Sequence, residues 1–171
     1  RFDRIGEKRI HFSSAMTMLG KTDGANAVDG SSYLEIVSFL KANGAKPKRD
    51  LQELWKRIVF SMAVSNTDDH FRNHGFLLAT EGWELSPLYD VNPDIYGEYL
   101  SLNVDSESSM IDFNLAVEAA AYYGVEKRQA IDVIHNIKDI VKTNWRSLAK
   151  KYEIGRGEIE RMQVAFKICE E

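Results

Sequence analysis

A chain of 171 residues and 19.5 kDa amounts to one domain or a large part of one, long enough to bury about 70% of the surface its unfolded form exposes. Its 44% hydrophobic and 11% aromatic content excludes a disordered chain, and a net charge of −4 (22 Lys and Arg against 26 Asp and Glu) argues against direct nucleic-acid binding by the whole domain. The lone cysteine, Cys169, excludes an internal disulfide and fits a reducing, cytoplasmic setting, while no apolar run reaches the ~18–20 residues needed to span a bilayer, so no membrane contact is expected.

In chain order, Arg1–Arg4 (RFDR) and Arg9–Phe12 (RIHF) read as short extended segments around a turn at Gly6. Ser13 or Ser14 is a candidate cap for a short helix from Ala15 that stops at Gly20, and Lys21–Ser32 is a loop rich in Gly, Asp, Asn and Ser. Tyr33, Leu34, Ile36, Val37, Phe39 and Leu40 predict a helix ending near Asn43-Gly44. Lys46-Pro47-Lys48-Arg49 reads as a turn, with Asp50 capping the strongest helix of the chain. There Leu51, Leu54, Trp55, Ile58, Val59, Met62 and Ala63 keep an i, i+3, i+4, i+7 rhythm that marks a core stripe.

Directly after that helix comes Asn66–Asp90, NTDDHFRNHGFLLATEGWELSPLYD. Two apolar runs, Gly75–Ala79 and Trp83–Tyr89, are split by Thr80-Glu81-Gly82 and read as a hairpin closed by Asp90. Asn92-Pro93 then breaks the strand, Tyr99–Val104 alternates like a further short strand, and Asp105–Ser109 is a polar loop. Helices fill the remainder: Phe113–Tyr123 stopped by Gly124, Lys127 to about Tyr152 with Ile131, Ile134, Ile137, Val141 and Trp145 on its apolar side, and Glu158–Cys169. Lys138, Lys142, Arg146, Lys150 and Lys151 form a loose basic strip on the long helix, read either as a solvated face or as a contact for an acidic partner.

The chemistry concentrates in the loop. Asp68 and Asn73 stand in D-x-x-x-x-N spacing, which in phosphoryl transfer provides a base for the acceptor hydroxyl and an oxygen ligand for a metal. A hairpin returns the end of its second strand beside the start of its first, which brings Asp90 toward Asn73. Two carboxylates ~4 Å apart at an effective dielectric near 20 repel by about 4 kcal/mol, which a cation would relieve, and hard oxygen ligands suit Mg²⁺. The alternative is a solvated polar turn. His70 and His74 are four apart, but neither the HExxH geometry nor flanking cysteines support zinc, and no G-x-S-x-G elbow supports a serine hydrolase. His70 is read as orienting the loop through hydrogen bonds or lying close to nucleotide phosphates.

On RFDR at Arg1–Arg4, TDDHFRN at Thr67–Asn73 and LSPLYD at Leu85–Asp90, the chain resembles the C-terminal, mainly helical lobe of the HipA-like Ser/Thr kinase toxins. The D-x-H-x-x-N order is also similar to that of phosphoinositide-type lipid kinases, and a lipid or small-molecule kinase lobe stays open as an alternative. So does a non-catalytic, kinase-like interaction module.

The resemblance implies a mainly α fold with a small β-hairpin region: a protein-kinase-like C-terminal lobe over residues 1–171, with 1–4 as a hinge remnant. It implies ATP and Mg²⁺ as cofactors, Asp68 as catalytic base, and Asn73 and Asp90 as metal ligands. His70 and Arg72 would lie close to the transferred phosphate, with the Phe2 backbone against adenine and Asp3 near the ribose. It further implies a protein substrate, an aminoacyl-tRNA synthetase in the best-known case, and a helix-turn-helix antitoxin partner. The chain starts with Arg1 rather than Met and contains neither G-x-G-x-x-G nor a P-loop. An ATP-covering N-terminal lobe is therefore expected elsewhere, in cis or in trans, and little or no kinase activity from this chain alone.

Overall fold

Helix α3 (Pro47–Ala63) is the axis of the fold. In the computed structural model, which describes residues 2–170, Leu54, Trp55, Ile58, Val59, Met62 and Ala63 are all completely buried, as their spacing predicts. Fully burying each large apolar side chain contributes roughly 1.5–3 kcal/mol, so this one stripe supplies a large share of the core. Trp55 also donates its indole N–H to the Ala116 carbonyl at 2.9 Å, which lets a polar atom sit in that core without penalty.

The helix begins earlier than its sequence pattern indicates. Pro47 occupies its first turn, where a missing N–H costs nothing and the fixed φ already suits a helix, so Lys46–Arg49 is helix entry and not a separate turn. Asp50 is consequently no cap. Its buried carboxylate accepts from the Leu85 backbone N–H at 3.0 Å and from Arg49, and so pins the sheet to α3.

Around this axis, α2 (Tyr33–Asn43) is capped by a reciprocal Ser32–Glu35 box. The Ser32 hydroxyl also donates to the carbonyls of Asn103 and Asp105. A short α1 (Ala15–Met18) is capped by Ser14. Strands β1 (Arg4–Ile5) and β2 (Lys8–Arg9) form a small hairpin turning at Gly6. Strands β3 (Phe12–Ser14), β4 (Gly75–Ala79) and β5 (Gly82–Leu85) make one antiparallel sheet in the order β3-β4-β5. The pairing of β3 with β4 was not anticipated from the sequence, because three residues carry no readable alternation.

The second hairpin strand is shorter than expected. It ends at Leu85, with Ser86 adding one more bond to the Gly75 carbonyl, and Pro87, which has no N–H to donate, stops the ladder. Nor does Tyr99–Val104 form a strand. Leu100, Leu102 and Val104 are buried as the alternation requires, but the segment makes only isolated bridges, at Tyr99–Met110 and Asn103–Ser32.

Helix α4 (Phe113–Ala119) continues as a 3₁₀ turn to Tyr123, and Gly124 in the left-handed conformation ends it. Helices α5 (Lys127–Lys151) and α6 (Arg156–Met162), with a 3₁₀ segment over Gln163–Cys169, close the far side of α3. On α5 the buried positions are Ala130, Ile134, Val141 and Trp145; Ile131, expected on that side, is 38% exposed. Trp145 stacks on Phe166 at 4.4 Å, and the Cys169 thiol, which burial pushes up to about 11, donates to the Ala63 carbonyl. The basic strip is mostly engaged within the chain, since Lys142 and Arg146 pair with Glu170 and Lys138 lies over Phe113. Among the described residues no helix is long and apolar enough to cross a membrane.

One glycine fixes how the sheet meets α2. Gly82 has φ +141°, and a Cβ there would lie 2.5 Å from the Asn43 carbonyl oxygen, a backbone atom held by the end of α2. Gly82→Ala is expected to cost about 1–3 kcal/mol in urea unfolding, through overpacking against rigid backbone.

Candidate active site

The loop after α3 is built by polar groups that the chain buries on purpose. Ser65 adopts φ +50°, unusual for a residue with a side chain, and its hydroxyl donates to the Ala165 carbonyl at 2.8 Å. Asn66 is 1% exposed: its backbone N–H reaches the Ser61 carbonyl, and its Oδ1 accepts from the Asn92 backbone N–H at 3.2 Å. The Thr67 hydroxyl donates to Asp94 at 2.7 Å, while the Thr67 carbonyl accepts from Ser101. The end of α3 is thus tied to the segment that follows β5.

The two adjacent aspartates face opposite ways. The Asp68 side chain is 82% exposed, with His70 Nε2 3.8 Å away, so its carboxylate is open to an incoming group. Asp69 is 2% exposed; one carboxylate oxygen accepts from the Tyr33 hydroxyl at 2.8 Å and the Ser61 hydroxyl at 3.1 Å, and His74 Nε2 lies 2.9 Å from the other. Burial alone would raise its carboxyl. The charge of His74 and the hydrogen bonds from His74, Tyr33 and Ser61 outweigh that and hold it below the ordinary aspartate range.

A 3₁₀ turn over Phe71–Asn73 closes the loop. The Asn73 amide nitrogen donates back to the Asp68 carbonyl at 2.9 Å, which commits the nitrogen and leaves Oδ1 as the oxygen a cation could reach. Arg72 pairs with Asp23 through one guanidinium nitrogen and reaches His70 Nε2 at 3.2 Å through another. The Tyr89 hydroxyl donates to the Arg72 carbonyl at 2.6 Å, and burial together with the neighbouring Asp90 charge pushes that phenol up to about 12.

Asp90 follows with φ +56°, exposed, one of its oxygens accepting from the Asn92 amide at 3.0 Å. It lies five residues past the end of β5, so the ladder does not bring it back as the sequence reading supposed. Two bonds tie the residues flanking it to the loop: the Tyr89 hydroxyl to the Arg72 carbonyl on one side, and the Asn92 N–H to Asn66 Oδ1 on the other. Left-handed backbone at a non-glycine residue costs free energy and persists where the surroundings over-determine it. Among the described residues no three His, Cys, Asp or Glu side chains form a ready cation cage. An amide oxygen plus one exposed carboxylate, leaving the other positions to water and phosphate, is the donor set that Mg²⁺ takes.

At the other end of the chain, the Phe2 ring stacks on Tyr89 at 5.7 Å and meets Phe12 edge-on at 5.6 Å, which sets Phe2–Asp3 against the segment leading to Asp90. The Asp3 carbonyl accepts from the Ile10 N–H at 2.8 Å. Arg1 of the RFDR motif lies outside the described residues. Sequence reasoning missed Asp69, Tyr33, Ser61, Asn66, Tyr89 and Asn92 as the frame of this loop. The one available signal was the doubled aspartate, and a single sequence does not say whether either acid is buried, because the donors that surround Asp69 come from residues up to 36 positions away.

Residues 1–145 match the model of the HipA-like C-terminal domain. A Sinorhizobium fredii protein named "Putative kinase Y4mE" is 28% identical over an alignment that covers 53% of this chain and 23% of that protein. The fold is similar to that of Shewanella oneidensis HipA, solved with HipB and its operator DNA. That likeness has a TM-score of 0.78 at 19% identity and covers 99% of this chain and 47% of the HipA chain. The chain therefore spans less than half the length of either relative.

Proposed function

Because the chain belongs to the family of HipA-like C-terminal domains, we propose that it is the catalytic lobe of an ATP- and Mg²⁺-dependent serine/threonine protein kinase. The observation that carries this reading is the division of labour in the Thr67–Asn73 loop. Asp69 anchors it, Asn73 ties it shut, and Asp68 is left facing solvent. In the reaction proposed, Asp68 accepts the proton of a protein hydroxyl as that oxygen bonds the γ-phosphorus and the bond to ADP breaks. Asn73 Oδ1 and the Asp90 carboxylate would hold Mg²⁺, which neutralises charge on the phosphate oxygens. Arg72 and His70 border the same opening, and Phe2 with Asp3 forms the nucleotide-facing edge.

The exposure of Asp68 supports a second lobe that covers ATP and excludes water, supplied in cis or in trans. Positioning can account for roughly 7–11 kcal/mol of a barrier, so this chain alone should transfer phosphate poorly. The likeness to a toxin solved with its antitoxin supports an antitoxin as partner of the whole protein, of the helix-turn-helix kind that the family resemblance implies. The acceptor proposed is a serine or threonine of a protein, with an aminoacyl-tRNA synthetase as the first to assay.

Asp90→Gly tests the metal assignment. The left-handed backbone costs an L-residue about 1–2 kcal/mol that glycine does not incur, so thermal stability should hold or rise. Calorimetric binding of nucleotide with Mg²⁺ should be lost. Binding indifferent to the change would leave a kinase-like interaction module in place of an enzyme.

A further inference from the structure

We propose that Asp23, in the loop before α2, is a positioning residue for this site: through Arg72 it fixes the orientation and tautomer of His70 beside Asp68. The proposal rests on the kinase reading only for its catalytic consequence. The loop and the 3₁₀ turn grip each other twice, since Lys21 lies over the Phe71 ring and Asp23 pairs with Arg72. Between them a cavity of about 200 Å³ opens onto Asp68, His70 and Arg72 from one wall and onto Asp23 and Asn26 from the other.

The hydrogen-bond arithmetic assigns the tautomer. A guanidinium only donates, so the Arg72 contact to His70 Nε2 requires that nitrogen to be a bare acceptor. In neutral imidazole the proton is then on Nδ1. That atom is buried, with no hydrogen-bond partner among the described residues. A buried N–H without an acceptor is unfavourable, so His70 holds this tautomer only while Arg72 is kept in place. Asp23 is what keeps it there, through the other guanidinium nitrogen. The Asp23 and Arg72 side chains are 72% and 47% exposed, and an ion pair that open adds little to stability, so its effect falls on orientation.

The test is ¹⁵N NMR of His70 in the full chain, beside kinetics in a protein carrying this chain with an ATP-covering lobe. The wild type should show a bare Nε2. Asp23→Ala should shift His70 toward the Nε2–H form with an unchanged melting temperature, and Asp23→Glu should restore the wild-type spectrum. In the kinetic arm Asp23→Ala should lower kcat about ten- to a hundredfold with KM for ATP unchanged, and add nothing in an Arg72→Ala background. A His70 spectrum indifferent to Asp23, or effects of Asp23→Ala and Arg72→Ala that simply multiply, would overturn the proposal. A tautomer that responds to Asp23 in a protein that transfers no phosphate would uphold the positioning role and count against the kinase reading instead.

Discussion

Replacing Asp68 by Asn is expected to reduce phosphate transfer by about 10²–10⁴-fold, the range a positioned general base contributes, with no measurable change in folding. The second half of that expectation follows from exposure. Its carboxylate is 82% accessible, and the nearest cation-capable partner, His70 Nε2, stands at 3.8 Å, beyond hydrogen-bond range. The loop is held at this position by backbone, since the Asp68 carbonyl accepts from the Asn73 amide and from the His70 N–H. Asn keeps that backbone and the side-chain shape while removing the group that can take a proton. Melting temperature and single-turnover transfer to a hydroxyl acceptor, measured in a protein that also has an ATP-covering lobe, check both halves. A variant that transfers at the wild-type rate would move the base elsewhere.

The neighbouring aspartate should behave in the opposite way. Asp69→Ala is expected to destabilise the fold by about 1–3 kcal/mol, the cost of leaving buried polar groups without their hydrogen-bond partner. The stranded groups would be His74, completely buried, together with the Tyr33 and Ser61 hydroxyls. Against a typical total stability of 5–15 kcal/mol, that loss should be plain in urea unfolding. The pH dependence follows from the direction of the shift. A carboxyl held below its unfolded value contributes stability above that value, near 3.9, and the contribution disappears as pH falls through the folded value. Wild type should therefore lose stability on acidification below about pH 4 more steeply than Asp69→Asn. Activity would fall in both Asp69 variants only as far as the loop loosens.

Much of this was legible in the sequence because it is periodic or local. The α3 stripe, the Ser14 cap, the helix from Tyr33 to Asn43, the Gly124 stop and the β4–β5 hairpin all rest on signals within a few residues of one another, and the structure bears them out. The misread pieces were those where a local rule met a tertiary need. Asp50 had the type and place of a cap, yet its carboxylate is buried against the sheet. Tyr99–Val104 had the alternation of a strand, yet only its apolar side chains were required, and its polar groups serve Thr67 and Ser31 instead.

The sequence by itself determined a helical domain with one polar loop after its strongest helix, since helix periodicity and turn chemistry are written into neighbouring residues. It also named the oxygen-bearing side chains of that loop and the acid beyond the hairpin. Only the tertiary structure decided which of two adjacent aspartates faces solvent, and how the residues on either side of Asp90 are tied to the loop. Those outcomes depend on hydrogen bonds donated by Tyr33, Ser61 and Tyr89 and one accepted by Asn66, whose partners are 8 to 36 positions away. A donor and an acceptor that far apart leave no periodic trace in the chain, and only packing brings them within 3 Å or so of each other.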